Sequence, residues 1–582
     1  MLAKRRALRA TLLLALGLSG AAGCLVVSPL DDLPASVGGS AGGTSAGGRN
    51  ASGTNTGGTA PGKTSSGGSA AADASEGAQA GSAGSGECLT NAECVRRGAD
   101  DPYRCRPSDH TCVALKNGAC PLAYGDAADP NAIYFGAFAT LNPVAPEDNS
   151  IVWSHLLALN ELSGDAVGGL PGDGVGPRRP LVMIVCNNAN DVVEPGLAHL
   201  AEDVEVPAII ATLKPGDLRR GFEKYRAAHD IFYLSPVSVT STVATEPDDN
   251  LIWALLGQPS DFAPTYTALL KLAEKRLRAD RHMQTGDQLK VALVTTKDAF
   301  DSDLATAVGQ VLVFNGMSAD GNGANYFPVT LDGSDPDQET MLATTAQEIV
   351  DFGPDVVVSA ASELFSMDGG LLHSIDTTWP GREVEKPLPF YILSPYNAGN
   401  LNPAIQLMND AIAFTNETDP EQRFVGVSVA GARDNTLQNQ YALRLRTLAK
   451  KPYFDTANYY DAIYFLAYAM YAGGTQAELS GSSIASGMQR LLSGMSYDIG
   501  PSPAIEPIFD ALKAPATTVH IASTLGPPDF DPKTGVRPVD GSVLCFQKVD
   551  PTTVQPRTDV LRYDRDQATF TGTFPCFDNF FP

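Results

Sequence analysis

Eight short runs of β-branched and aromatic residues, separated by stretches with helical spacing, constrain what the chain can become from about Asn131 onward. The runs are "AIYFGAF" (132–138), "PLVMIVCN" (180–187), "PAIIATL" (207–213), "IFYLSPVS" (231–238), "KVALVTT" (290–296), "DVVVSA" (355–360), "FYILSP" (390–395) and "FVGVSV" (424–429). They are apolar at consecutive positions rather than at every second one, so both faces of each strand need covering. The segments between most of them, such as "DLRRGFEKYRAAH" (217–229), "PTYTALLKLAEKRLRAD" (264–280), "DLATAVGQVLVFNGM" (303–317) and "ETMLATTAQEIVDFG" (339–353), carry helical patterns. This alternation predicts an α/β architecture of parallel sheets with helices on both faces. So many units in about 450 residues predict two lobes rather than one enlarged sheet.

Ahead of this region the composition changes twice. The opening "MLAKRRALRATLLLALGLSGAAGC" has a basic segment, an apolar run from Thr11 to Leu18, and small residues before Cys24. That order predicts an export signal over 1–23. The small residues before Cys24 resemble a bacterial lipobox, which implies a diacylated Cys24 and anchoring by lipid; the alternative is an ordinary secretory signal. The apolar run falls well short of the roughly 20 residues a spanning helix needs. Residues 24–87 read as a flexible linker, because from about Pro34 to Gly86 they are almost entirely Gly, Ser, Ala and Thr, with next to no large apolar side chains to offset conformational entropy. About 62 such residues would reach on the order of 45 Å.

Within the linker, "GGTAPGKT" (Gly57–Thr64) fits the phosphate-loop pattern at every required position. The pattern works only where a strand delivers it to the start of a helix, and neither flanks it here. No nucleotide is expected there.

Cys88, Cys94, Cys105 and Cys112 follow within 25 residues, as a small module over 88–120. In an exported chain this density predicts disulfides, with zinc as the alternative; the paired C-x-x-C knuckles of structural zinc sites are absent. Setting aside Cys24, Cys120, Cys186, Cys545 and Cys576 remain. Cys545 with Cys576 is one pairing and Cys120 with Cys186 a second, with free thiols as the alternative.

The net charge of −25 opposes contact with nucleic-acid phosphates and anionic lipid surfaces. Seven histidines are scattered with no metal-ligand spacing. A G-x-S-x-G match at Gly38 to Gly42 lies in the linker, without the strand and helix of a nucleophile elbow. The Asp301/Asp303 and Asp248/Asp249 pairs lack a visible partner base. Neither an enzyme, a cofactor nor a metal is expected. The apolar stretch "TANYYDAIYFLAYAMYAGG" (456–474) carries Asp461 and five tyrosines, which predicts a buried helix with Thr456 as N-cap rather than a membrane span.

In their order, several blocks resemble the type I periplasmic solute-binding proteins of the branched-chain amino-acid class, relatives of receptor ligand-binding regions. They are "IYFGAFATLNP", "VPAIIATL" with the later "FYLSPVSVTSTV", "LKVALVTTKDAFDSDLATAV", "GPDVVVSAASELF", "NYYDAIYFLAYAM" and "LGPPDFDPKTGVRPVDGSVLCFQ". The resemblance implies a two-lobed binding domain over 131–582. Lobe 1 would span about 131–286 and 427–500, and lobe 2 about 287–426 and 501–582. It places a small-molecule ligand between the lobes. It assigns hydroxyl donors to Thr212, Ser235, Ser238, Thr240 and Ser241, with Lys214 nearby, an aromatic contact to Phe300, an acid to Glu363, and further contacts to Tyr396 and Asn397. It also implies an ABC permease as partner. The long tether and the departures from an amino-acid clamp favour the rival expectation of a surface sensor or interaction module with the same fold.

Overall fold

The computed structural model describes residues 88–95, 102–142, 144–172, 176–189, 191–284, 286–367, 369–379, 386–399, 402–411, 419–451, 456–474, 479–550, 553–576 and 580. The expected export signal and linker, with Cys24 and Gly57–Thr64, lie outside the described residues.

The small module is a short helix (Asn91–Val95) beside an antiparallel pair, β1 (Tyr103–Cys105) and β2 (Cys112–Ala114). A piece this short has no core of its own, and two disulfides, Cys88–Cys105 and Cys94–Cys112, cross-link it. It rests on the first lobe. The Arg104 guanidinium lies 4.5 Å from the centre of the Tyr134 ring, and the Ser108 amide donates to Glu205.

The first sheet comprises β3 (Leu122–Tyr124), β4 (Ile133–Ala139), β5 (Leu181–Asn187), β6 (Ala208–Ile210), β7 (Phe232–Ser235) and β8 (Ile252–Ala254), in the order β3-β5-β4-β6-β7-β8. All pairs are parallel except β3 with β5. The lobe therefore begins at β3, ahead of the expected Asn131, and Cys120–Cys186 fastens this entry to β5.

The second sheet contains β9 (Val291–Thr296), β12 (Tyr326–Leu331), β13 (Val356–Ser359), β14 (Phe390–Leu393), β15 (Phe424–Val429), β18 (Gly541–Asp550), β19 (Thr553–Asp564) and β20 (Thr569–Gly572). Two short pairs lie outside it: β10 (Val313–Phe314) with β11 (Met317–Ser318), and β16 (Met495–Asp498) with β17 (Val519–Ala522). Its order is β12-β9-β13-β14-β15-β18-β19-β20, with β9 to β15 parallel and the last three antiparallel. Cys545–Cys576 ties β18 to the C-terminal tail. The two faces alternate as a parallel sheet demands: Val291, Leu293, Val356 and Val358 join one apolar cluster, Ala292, Val294 and Val357 another.

The chain passes between the lobes three times: between Ala254 and Pro259, between Val429 and Thr436, and between Arg537 and Gly541. The first crossing precedes the expected residue 286 because the helix Pro259–Asp280 packs on the second sheet, against β14, β15 and β18. Its Tyr266 hydroxyl donates to the Ser359 carbonyl, and Arg276 donates to Gln422. The third crossing falls later than residue 500 because the chain up to Arg537 still runs beside β8. The Gly535 carbonyl accepts from the Ala254 amide, and the Arg537 amide donates to the Ala254 carbonyl.

The helix Ala457–Gly473 is buried on nearly every side, between the helices Ser150–Ser163, Gly481–Gln489 and Ile505–Leu512. Its tyrosine rings fill the core, and two of their hydroxyls find an acceptor there, while that of Tyr468 is buried without one. Tyr460 and Tyr464 both donate to Glu161 at 2.6 Å, and Arg444 completes that group at 2.8 Å. Asp461 accepts from the Thr524 amide and hydroxyl and from the Leu525 amide, pinning the segment that leads to the third crossing. Among the described residues no helix is long and apolar enough to cross a membrane.

Helices Ala457–Gly473 and Gly481–Gln489 meet backbone to backbone. A Cβ on Gly487 would lie 2.0 Å from the Ala469 carbonyl oxygen. Gly487→Ala is therefore expected to cost at least about 1–3 kcal/mol of stability, seen as a lower urea midpoint; an unchanged midpoint would mean that the helices separate at little cost.

Candidate functional site

In each parallel sheet the first strand lies between the second and the third, so the connections leave β4 and β6, and likewise β9 and β13, in opposite directions. The loops beyond the carboxyl ends of such strands diverge and leave a crevice, the place where open α/β sheets bind ligands. In the first lobe these loops begin at Thr140 and Ala211; in the second they begin at Lys297 and Ala360.

Thr212 sits at the end of β6. It is 5% exposed, and its hydroxyl is buried without a hydrogen-bond partner, while its carbonyl accepts from the Asn188 amide at 3.0 Å. An unmade buried hydroxyl costs about 1–3 kcal/mol, so stability is given up at the switch point itself.

Three hydroxyls at or after the end of β7 are used within the lobe. Ser235 donates to the Val237 carbonyl, and Ser238 to the Leu256 carbonyl at 2.6 Å. The Thr240 side chain caps the helix Ser241–Thr245 by accepting from the Val243 amide. The Ser241 amide donates to the Asp303 carboxylate at 2.6 Å. The resemblance gave these four residues to a ligand; the Ser235 and Ser238 hydroxyls, the Thr240 side-chain oxygen and the Ser241 backbone amide are engaged within the protein.

On the second lobe, Asp301 lies buried in the first turn of the helix Ala299–Val311 and joins two loops. It accepts from the Thr296 hydroxyl at 2.7 Å and from the Ser362 amide at 2.8 Å. Burial pushes its carboxyl up to about 6 despite these bonds. Phe300, beside it, is half-buried and packs against the larger apolar cluster. Glu363 opens the short helix Glu363–Ser366, and its side chain lies outside the described residues. Tyr396 is half-buried in the helix Pro395–Gly399.

Asn397 has a larger part than the sequence alone reveals. Fully buried, it accepts from the Ser359 hydroxyl and the Ser394 amide, and donates to the Ser362 carbonyl and the Ser366 hydroxyl. Every amide position is satisfied, so the loops after β13 and β14 are fixed to one another. The only local signal was the serine content of "VVSAASELFS" and "LSPYN", which reads equally well as solvated loop.

Neither acidic pair forms a catalytic unit. Asp301 and Asp303 turn to different partners, and Asp248 caps its own loop by accepting from the Asn250 and Ile252 amides. His155 is buried against the Tyr459 ring and held neutral, its pKa lowered to about 3 by burial. His199 lies against Asp203 and the Leu115 carbonyl. Among the described residues, the group with metal-ligand spacing is Cys88, Cys94 and Cys105, and all three are in disulfides.

Two cavities lie outside the switch points. One of about 540 Å³ is bordered by Arg276, Arg281 and Arg423, each engaged with a neighbouring carboxylate. The other, about 510 Å³, lies between the loop Ala430–Asn435 and β19.

Two parallel-sheet lobes joined by three crossings define a two-lobed α/β protein of the type I periplasmic-binding arrangement. Solved structures with a similar arrangement include a solute-binding protein of an ABC transporter from R. palustris in complex with 4-hydroxybenzoate, at TM-score 0.47 and 10% identity, covering 76% of this chain and 98% of that one. Another is the branched-chain amino acid transporter substrate-binding protein from Streptococcus pneumoniae in complex with isoleucine, at TM-score 0.46 and 13% identity, covering 73% and 99%. A third is an ABC transporter substrate-binding protein from Desulfitobacterium hafniense in complex with leucine, at TM-score 0.45 and 15% identity, covering 73% and 99%. No protein-family model and no curated protein matches the chain.

Thr212→Val keeps the side-chain shape and removes the unpaired hydroxyl, so stability should rise by about 1 kcal/mol, read as a higher urea midpoint at unchanged slope. A fall would mean the hydroxyl finds a partner in solution. For Asp301 the raised pKa means that the folded state holds the proton more tightly than the unfolded one. Its contribution is full below the unfolded value of 3.8 and is lost as pH rises through about 6. Asp301→Asn stays neutral and keeps an acceptor. Its stability relative to the parent should therefore climb between about pH 4 and pH 7, by up to about 3 kcal/mol; parallel pH profiles would contradict the shift.

Proposed function

We propose that the protein is an exported, lipid-anchored solute-binding protein that captures a small, amino-acid-like molecule between its two lobes and serves an ABC-type importer. The observation that carries this reading is the strand order of the two parallel sheets, which opens a crevice at a switch point in each lobe, with the buried Thr212 hydroxyl beside the first. On the second lobe, the loops at the switch point are pre-ordered by Asp301 and Asn397. Thr212, Phe300, Glu363 and Tyr396 are the residues proposed to meet the solute. Pre-ordered loops lower the entropy lost on binding, and lobe closure would supply contacts that exist only around a bound solute. The anchor rests on "AAGC" at Ala21–Cys24, and the reach on the linker that follows.

A second reading, a surface sensor or interaction module, is favoured by the internal use of Ser235, Ser238, Thr240 and Ser241, which leaves the first lobe fewer donors for an amino-acid carboxylate.

The full chain with Cys24→Ser, which removes lipidation, can be screened by thermal shift against amino acids, amides, small carboxylates and peptides. A solute at one hundred times its dissociation constant should stabilise the protein by about 2.7 kcal/mol. No shift with any of them would overturn the solute reading in favour of the second.

A further inference from the structure

One donor of the first lobe is occupied from across the cleft. The Ser241 backbone amide, at the first position of the helix Ser241–Thr245, donates to the carboxylate of Asp303 at 2.6 Å. Asp303 belongs to the helix Ala299–Val311, which is built on the second sheet after β9. The first-lobe helix Pro215–Tyr225 touches this same helix, so lobe meets lobe along one side of the cleft.

The neighbouring acids are committed elsewhere. Asp301 turns inward to Thr296 and Ser362, Asp298 caps its own helix at the Phe300 amide, and Asp332 pairs with Lys297. Asp303 is thus the carboxylate of this helix that reaches the other lobe. A hydrogen bond to a charged acceptor is stronger than one between neutral groups, and partial burial of both partners limits its screening by water.

We propose that Asp303 is the gate and selectivity residue of the cleft: its bond to the Ser241 amide latches the lobes together without a solute, and its charge sets the cleft against carboxylate-bearing solutes. The selectivity half rests on the solute-binding reading; the latch half does not. Closure in a ligand-binding two-lobed protein ordinarily draws on contacts with the ligand. Here the chain supplies one of those contacts itself. A carboxylate entering beside Asp303 meets a like charge and a donor already in use. An amide or amine of the same shape avoids the repulsion.

Two variants act on the bond from opposite ends, one weakening it and one removing it. Asp303→Asn keeps the shape and an acceptor but removes the charge. Ser241→Pro removes the amide hydrogen at the first helical position, where proline fits the helix. Spin labels on Ala228→Cys and Gln310→Cys, exposed positions on the two lobes away from the latch, report the distance between lobes in the full chain with Cys24→Ser. Without solute, both variants should shift the distribution to longer distances than the parent. The paired probes are L-leucine and L-leucinamide. The parent should bind the amide more tightly, and Asp303→Asn should narrow that preference by about tenfold, as expected for loss of a charge-assisted contact. Unchanged distances in both variants would overturn the latch, and an unchanged preference would overturn the selectivity. If neither probe nor any other solute shifts any variant while the distances still lengthen, the latch stands and the solute-binding reading falls.

Discussion

A parallel strand that is apolar on both faces is stable only inside a sandwich of helices, and this requirement organises the rest of the molecule. Each parallel strand must return through a crossover, so the connections between parallel strands leave from the same edge of their sheet. Loops from strands that diverge in space then gather at that edge. The helix Pro259–Asp280 carries the constraint across the lobes: it leaves β8 of the first sheet and covers β14, β15 and β18 of the second. Its burial makes the apolar core continuous from one lobe into the other.

Loops at such an edge hold polar groups that water reaches only in part, and they are satisfied by short side chains from neighbouring strands. Asp301 joins the β9 and β13 loops, Asn397 joins the β13 and β14 loops, and Asp461 secures the segment before the third crossing. Arg537 shares that last region, donating to the carbonyls of Leu525 and Pro527, and the nearby Asp461 charge favours its ionised form against the cost of burial. These groups sacrifice solvation for rigidity. The buried hydroxyl of Thr212, like those of Thr265 and Tyr468, gains no partner in return.

All eight strands read from apolar runs are present within a few residues of their expected bounds. Among the parallel strands of the two large sheets, β8 and β12 went unread. β8 lies in the apolar run "LIWALL" (251–256), which periodicity alone does not separate from a buried helical segment, and β12 carries Pro328, which suits an edge strand but argues against a strand when read alone. The Cys120–Cys186 and Cys545–Cys576 pairings follow the expected ones, whereas the crossed connectivity of the small module required geometry. The hydroxyl-rich loop after β7 was legible as a place but not as a role, because a serine beside a helix start serves a cap, a carbonyl or a ligand with equal ease.

The sequence by itself determined the α/β class, the order of most strands and helices, and the buried fate of the tyrosine-rich helix, because these depend on side-chain periodicity along the chain. Only the tertiary structure decided where the chain changes lobes, since the apolar stripe of an amphipathic helix specifies that it must be covered, not by which sheet. It also decided the partners of Asp301, Asp303, Asn397 and Thr212. A polar side chain's role is set by what stands within hydrogen-bonding distance, and for Asp303 that is an amide 62 residues away in sequence, on the opposite lobe.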